Sequence, residues 1–225
     1  MKNLIIFLFS LFLSNFYSSQ VTMKWEYSVI EKKATVYIYN NNAEDIILPV
    51  DLTSLKPYFE NQCSIDDYEN SYPILGATLV VENKQGKMIG NIHNNEISDD
   101  DHFNIMIKEI KKNDSIYLNT LKKWSKKNKI HDRYFMERNY YLSNHLVVIK
   151  SKDHINFKVS INFDNITNQK NIYYYYPINW AEKNEGALSI CVDPSIYHYL
   201  TKKQKQKLSA YKLFTGRIES NKVLL

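Results

Sequence analysis

Residues Ile155 to Phe163 read INFKVSINF. Ile155, Phe157, Val159, Ile161 and Phe163 are apolar, and Asn156, Lys158, Ser160 and Asn162 between them are polar. A period of two sends successive side chains to opposite faces of an extended strand, so one face is buried and the other wet. The same period runs through Val21, Met23, Trp25 and Tyr27, which alternate with Thr22, Lys24, Glu26 and Ser28. Ala34 to Tyr39 (ATVYIY) is rich in the β-branched and aromatic residues that suit a pleated surface. Ala77–Glu82 (ATLVVE), Leu146–Ile149 (LVVI), Ile172–Tyr176 (IYYYY) and Ala187–Val192 (ALSICV) read as further strands. Ile46 to Val50 is another, with Pro49 marking an edge or a strand end because proline cannot donate to a ladder.

Between these runs lie turns. Glu31–Lys33, Asn40–Asn42, Lys84–Lys87 and Asp164–Asn168 are polar, and asparagine tolerates the left-handed backbone that turns need. Met88 to Ile92 is expected to fold back on Ala77–Glu82 as a hairpin. Tyr211–Ile218 and Lys222–Leu225 read as closing strands. Strands at roughly ten-residue spacing with polar turns predict an antiparallel β-sandwich, hence a mainly β fold.

Three stretches break the pattern. Residues 53–73 contain Pro57, Pro73 and Asp66-Asp67 and read as irregular. Residues 94–142 are charged, hold no Gly or Pro, and lose the alternation. There Asp114 is expected to cap a helix carrying Tyr117, Leu121 and Trp124 on one face, with a further turn or two through Asp132–Tyr141. Asp193-Pro194 suits a helix start, with Asp as cap and Pro in the first turn, and the helix is expected to run to about Leu208. The stretch around 94–142 is too poor in apolar residues to build its own core. The organisation read from the sequence is a leader at 1–20 and one sandwich domain at 21–225 with a partly helical insertion.

The segment ATVYIYNNNAEDIILPV (34–50) resembles the strand, Asn turn and strand of immunoglobulin-like sandwich domains in secreted bacterial proteins. FTGRIESNKVLL (214–225) is similar to their last strand. The resemblance implies an immunoglobulin-like sandwich and no particular activity.

Met1-Lys2-Asn3 carries one positive charge, Leu4–Leu13 (LIIFLFSLFL) is apolar apart from Ser10, and Ser14–Gln20 (SNFYSSQ) is small and polar. This is the order of an export signal. The apolar run is about half of the roughly 20 residues that span a bilayer, and no other stretch is long and apolar enough to do so. The expectation is an exported protein, periplasmic or extracellular, starting near Gln20 or Val21, with no stable membrane span after cleavage.

Removing residues 1–20 takes away Lys2 and no acid, so the formal charge drops by one from +5. The charges are mixed along the chain, whereas a nucleic-acid binder concentrates them in a stripe, so no nucleic-acid partner is expected. Hydrophobic residues make up 44% of the chain, enough to build a packed core. The 18 tyrosines rise together with Lys, Asn and Ile, the codon signature of an A- and T-rich genome. Cys63 and Cys191 are the two cysteines; they either form the single bridge open to them, as an exported chain permits, or stay as buried thiols.

No GxSxG, HExxH, GxGxxG or Walker loop occurs, and five glycines leave no Gly-rich phosphate cradle. Asp99-Asp100-Asp101-His102, with His93 and Glu96, is the densest set of metal-ligand residue types, but its spacing fits a solvated loop or helix start better than a site. Thr201–Lys207 (TKKQKQK) and Lys122–Lys129 read as wet helix faces backed by Tyr197, Leu200, Leu208 and Tyr211 in the first case. No catalytic, cofactor-binding or metal residue is assigned. The expectation is a non-catalytic binding or interaction module with a protein or glycan partner. The alternatives are an extracytoplasmic hydrolase using loop carboxylates and a secreted protease inhibitor presenting residues 53–73.

Overall fold

The computed structural model describes residues 20–58, 63, 75–90, 92–95, 100–166 and 172–225; the leader expected at 1–20 lies, apart from Gln20, outside the described residues. In chain order the strands are β1 (Val21–Ser28), β2 (Lys33–Asn40), β3 (Ile46–Pro49), β4 (Asp51–Lys56), β5 (Gly76–Asn83) and β6 (Ile92–Asn95). They continue as β7 (Leu146–Ile149), β8 (His154–Ser160), β9 (Ile172–Tyr175), β10 (Asn184–Val192), β11 (Lys212–Leu213), β12 (Gly216–Glu219) and β13 (Val223–Leu224). The helices are α1 (Asp100–Asn128), α2 (Arg133–Asn144) and α3 (Lys202–Lys207), with a 3-10 segment at Pro194–Tyr199. The chain is mainly β.

Four sheets result. One runs β1-β2-β8, one β12-β10-β5-β4 with β13 also on β10, one β11-β3-β7, and one pairs β6 with β9. The alternation read in the sequence sets the inward faces. Val21, Met23 and Trp25 are buried with Ala34, Val36 and Ile38 of β2 and Phe157 and Val159 of β8. Leu79 and Val81 of β5 and Leu188, Ile190 and Val192 of β10 join them in one apolar cluster.

Trp25 ties the first sheet to the second. Its N–H donates to Asn221 Oδ1 at 2.9 Å, its carbonyl accepts from Asn221 Nδ2 at 3.2 Å, and its indole N–H donates to the Asn221 carbonyl at 2.9 Å. The asparagine side chain thus takes the place of a neighbouring strand on the outer edge of β1. Gly186 of β10 makes room for the indole: a Cβ there would stand 3.0 Å from Trp25 Cζ2.

The fold departs from the sequence expectation at five points. Two strand pairs, β3 with β11 and β4 with β5, are parallel, so the assembly is not purely antiparallel. Parallel neighbours need a crossover of a dozen or more residues, and the long stretch between β4 and β5 serves as one. The start of the irregular stretch expected at 53–73 is therefore strand β4, and most of the remainder lies outside the described residues. The Met88 hairpin forms but is short: Ile89 N–H donates to the Val81 carbonyl at 2.7 Å and Glu82 bridges Met88, while Ile92 belongs to β6 and pairs with Tyr175. Asp114 caps nothing: α1 already begins at Asp100, and with no Gly or Pro to interrupt it the helix carries Asp114 in its exposed interior. The helix expected from Asp193 to Leu208 is split. Leu200 is extended, and Thr201 starts a new helix through a reciprocal cap in which Gln204 N–H donates to Thr201 Oγ1 and Thr201 N–H to Gln204 Oε1.

Asn139, fully buried on α2, joins the helices. Its Oδ1 accepts from Trp124 Nε1 at 2.8 Å, and its Nδ2 donates to the Tyr199 carbonyl at 2.5 Å and Gln204 Oε1 at 2.7 Å. Asn139→Ala leaves these half-buried partners unpaired and is expected to cost about 2 kcal/mol, read as a lower denaturant midpoint with an unchanged slope.

Burial raises the Tyr176 and Tyr197 hydroxyls well above the ordinary tyrosine range. Tyr197 donates to the Phe214 carbonyl at 2.6 Å, and Tyr176 donates to that of Leu79. A group whose folded pKa is raised contributes stability that is complete below its unfolded value, near 10 for tyrosine, and lost as pH rises through the folded value. Stability is expected to hold through mildly alkaline pH and fall above about pH 10, with a shallower fall in Tyr197→Phe, in urea titrations run at stepped pH.

Candidate functional site

The β1 alternation that buries Trp25 carries Tyr27 to the end of the same face, where the core opens to solvent. β8 stops at Ser160, but Ile161 and Phe163 keep its inward phase and are buried. Ile161 N–H donates to the Lys32 carbonyl at 2.8 Å, which fixes this extension against the β1–β2 turn. Asn162 Oδ1 then accepts from Asp164 N–H at 3.1 Å, closing an Asx turn that presents Asp164.

Trp180 reaches the same place from another loop. Asn179 Oδ1 accepts from Ala181 N–H at 3.1 Å, and buried Asn184 donates from Nδ2 to the carbonyls of Asn179 and Glu182, both at 3.0 Å. These bonds hold a tight turn with Trp180 at its tip, 61% exposed. The rings form a chain. Trp25 and Tyr27 centroids lie 6.2 Å apart, Tyr27 meets Phe163 edge-on at 6.0 Å, and Phe163 meets Trp180 nearly edge-on at 5.2 Å. Edge-to-face contacts at these distances are favourable.

The result is a groove of about 300 Å³ lined by Tyr27, Val29, Lys32, Ile161, Asn162, Phe163, Asp164, Trp180 and Leu225. Burial raises the Tyr27 hydroxyl above its ordinary range, so it is a neutral donor and acceptor at physiological pH. Beside the groove Ile30 is 97% exposed at the tip of the β1–β2 turn. Exposed Trp180 and the apolar turn residues Val29 and Ile30 thus stand at the groove's open side.

A second concavity of about 190 Å³ lies over β5, β10 and β12, lined by Glu82, Arg217, Glu219 and Lys222 among others. Its carboxylates each have a cation: Lys222 bonds Glu82, and Arg217 stands 3.7 Å from Glu219.

The residues singled out in the sequence are scattered. His93 lies on β6, in register with Tyr174, and Asp100 to His102 form the first turn of α1; Asp99 and Glu96 lie outside the described residues. No three of His, Cys, Asp and Glu converge on one point among the described residues. Lys202, Lys203, Lys205 and Lys207 of α3 are exposed, while Tyr197 and Leu200 are buried. Lys122, Lys123, Lys126, Lys127 and Lys129 are exposed likewise. His154 stacks on Tyr39 at 5.3 Å. Cys63 and Cys191 are joined by a disulfide, Cα to Cα 4.9 Å, fastening the β4–β5 crossover to β10.

Asp51, Ser54 and His145 come nearest to a reactive set. Burial pushes the Asp51 carboxyl up, but hydrogen bonds from Ser54 and Thr53 and the nearby His145 outweigh it and hold the group below its ordinary range. Ser54 Oγ lies 2.6 Å from Asp51 Oδ2 and His145 Nε2 lies 3.7 Å from the same oxygen. The carboxylate thus stands between hydroxyl and imidazole, whereas an activated serine needs the imidazole in the middle.

Sequence reasoning passed over Tyr27, Val29, Phe163 and Trp180 as a group. Two signals pointed to them: Val29-Ile30, an apolar pair where a turn calls for polar residues, and Trp180, the one large apolar residue in Asn179–Asn184. No family model, curated protein or solved structure matches the chain.

Proposed function

We propose that this chain is an exported, non-catalytic binding module of immunoglobulin-like sandwich type that offers the Trp180 groove to a partner outside the cytoplasm. The observation that carries the reading is the groove itself. A concave aromatic surface with a few polar groups, held by fixed turns, is what a recognition site requires. The export-signal order of residues 1–20 and the Cys63–Cys191 bridge support a location outside reducing cytosol. No described helix is long and apolar enough to cross a membrane.

The hydrolase alternative needs two acids in environments that separate their protonation. Among the described residues the groove has Asp164 as its one side-chain carboxylate, and Glu82 and Glu219 in the second concavity each face a cation. The inhibitor alternative rests on 53–73, which contributes β4 and is otherwise mostly outside the described residues.

Hydroxyl-radical footprinting tests the reading. Trp180 is expected to oxidise readily in purified protein and to be protected when the protein is labelled in place on its native host. Equal oxidation of Trp180 in both settings would overturn the groove as a working surface.

A further inference from the structure

We infer that the Trp180 groove binds a neutral saccharide; this rests on the groove being the binding surface. The walls and the rim ask for different things of a ligand. Exposed Trp180 and half-buried Tyr27 offer ring surfaces that pack against carbon–hydrogen faces, and buried Phe163 backs them. Around them stand the Tyr27 hydroxyl, the Trp180 indole N–H, Asn162 Nδ2, the Lys32 ammonium and the Asp164 carboxylate. None of these five groups has a hydrogen-bond partner among the described residues. A ligand must satisfy donors and acceptors at once, because burying any of them unpaired is costly.

A sugar ring meets both demands. Its axial C–H faces stack on aromatic rings, and each hydroxyl both donates and accepts. The rim charges decide the ligand's own charge. Lys32 and Asp164 both line the groove, so its side-chain charges cancel and favour no ionic ligand by net charge.

The backbone argues against an extended peptide. Ile161 N–H already bonds Lys32, the Phe163 carbonyl accepts from Tyr176 N–H at 3.0 Å, and the Trp25 edge is closed by Asn221. A peptide adding to a sheet edge needs a continuous run of open N–H and C=O groups, and the bonds at Trp25, Ile161 and Phe163 interrupt it. Recognition falls to side chains, as it does for sugars.

The experiment presents the bridged protein to an array of neutral and acidic oligosaccharides and follows tryptophan emission as each hit is titrated. Saturable binding of a neutral oligosaccharide with a shift in emission is expected. Trp180→Ala should weaken it by about tenfold or more, since a stacking ring contributes on the order of a tenfold step in affinity. Asp164→Asn should weaken it less, and Lys205→Ala on distant α3 should leave it unchanged. Binding of acidic sugars only, or neutral-sugar binding indifferent to Trp180→Ala, overturns the proposal. No sugar binding combined with in-place protection of Trp180 overturns the saccharide and keeps the binding surface. No sugar binding without protection overturns both.

Discussion

Replacing Cys191 with serine, or reducing the Cys63–Cys191 bridge, is expected to lower the free energy of unfolding by about 5 kcal/mol, the chain-entropy value for a loop this long. The two residues are 128 positions apart, so the bridge closes more than half of the chain and removes many unfolded conformations. It also acts at a particular place. Cys63 sits in the crossover between parallel strands β4 and β5, and Cys191 in β10, whose neighbour Ile190 is in the core. Guanidinium unfolding with and without reductant reads the effect. A larger loss of stability on reduction than about 2 kcal/mol fits the account; a change below about 1 kcal/mol contradicts it.

Trp25→Ala is expected to cost about 3–5 kcal/mol, the range for emptying a large buried aromatic site. Trp25 is 1% exposed and spans the space between β1 and Gly186 of β10. Its removal opens a cavity and leaves the Asn221 carbonyl without its indole donor. Trp25→Phe keeps most of the ring volume and loses that bond, so it should cost about half as much. Asn221→Ala leaves the indole in place but uncovers the outer edge of β1, and about 2 kcal/mol is expected from its lost backbone bonds. If Trp25→Ala and Asn221→Ala act through one lock, their double variant should cost less than the two losses added, as coupled neighbours do. Full additivity in denaturant titrations would separate the edge closure from the packing.

The strands were legible because their physics is local. INFKVSINF and VTMKWEYS can bury one face only as strands, and β8 and β1 are those strands. Pairing was not legible, since which edge meets which depends on the whole sheet. The parallel β4–β5 pair follows from how the crossover returns, and the composition of 57–75 says nothing of direction. The start of α1 was misplaced at Asp114 because an acidic residue reads as a cap wherever it occurs, and nothing local says that Asp100 comes first. The groove was hidden for a related reason. Tyr27, Phe163 and Trp180 belong to three segments, and only their meeting makes a site. Val29-Ile30 and Trp180 depart from the polar pattern expected of turns, and that departure is the local trace the groove leaves in the sequence.

Everything about the partner depends on the protein working outside the cytoplasm with its bridge closed. The most direct measurement is the intact mass of the protein taken from its native host, before and after reduction, with a thiol label present in both. The account predicts a chain lacking residues 1–19 or 1–20, unlabelled as isolated and carrying two labels once reduced. A full-length chain labelled at both Cys63 and Cys191 without reduction would contradict it.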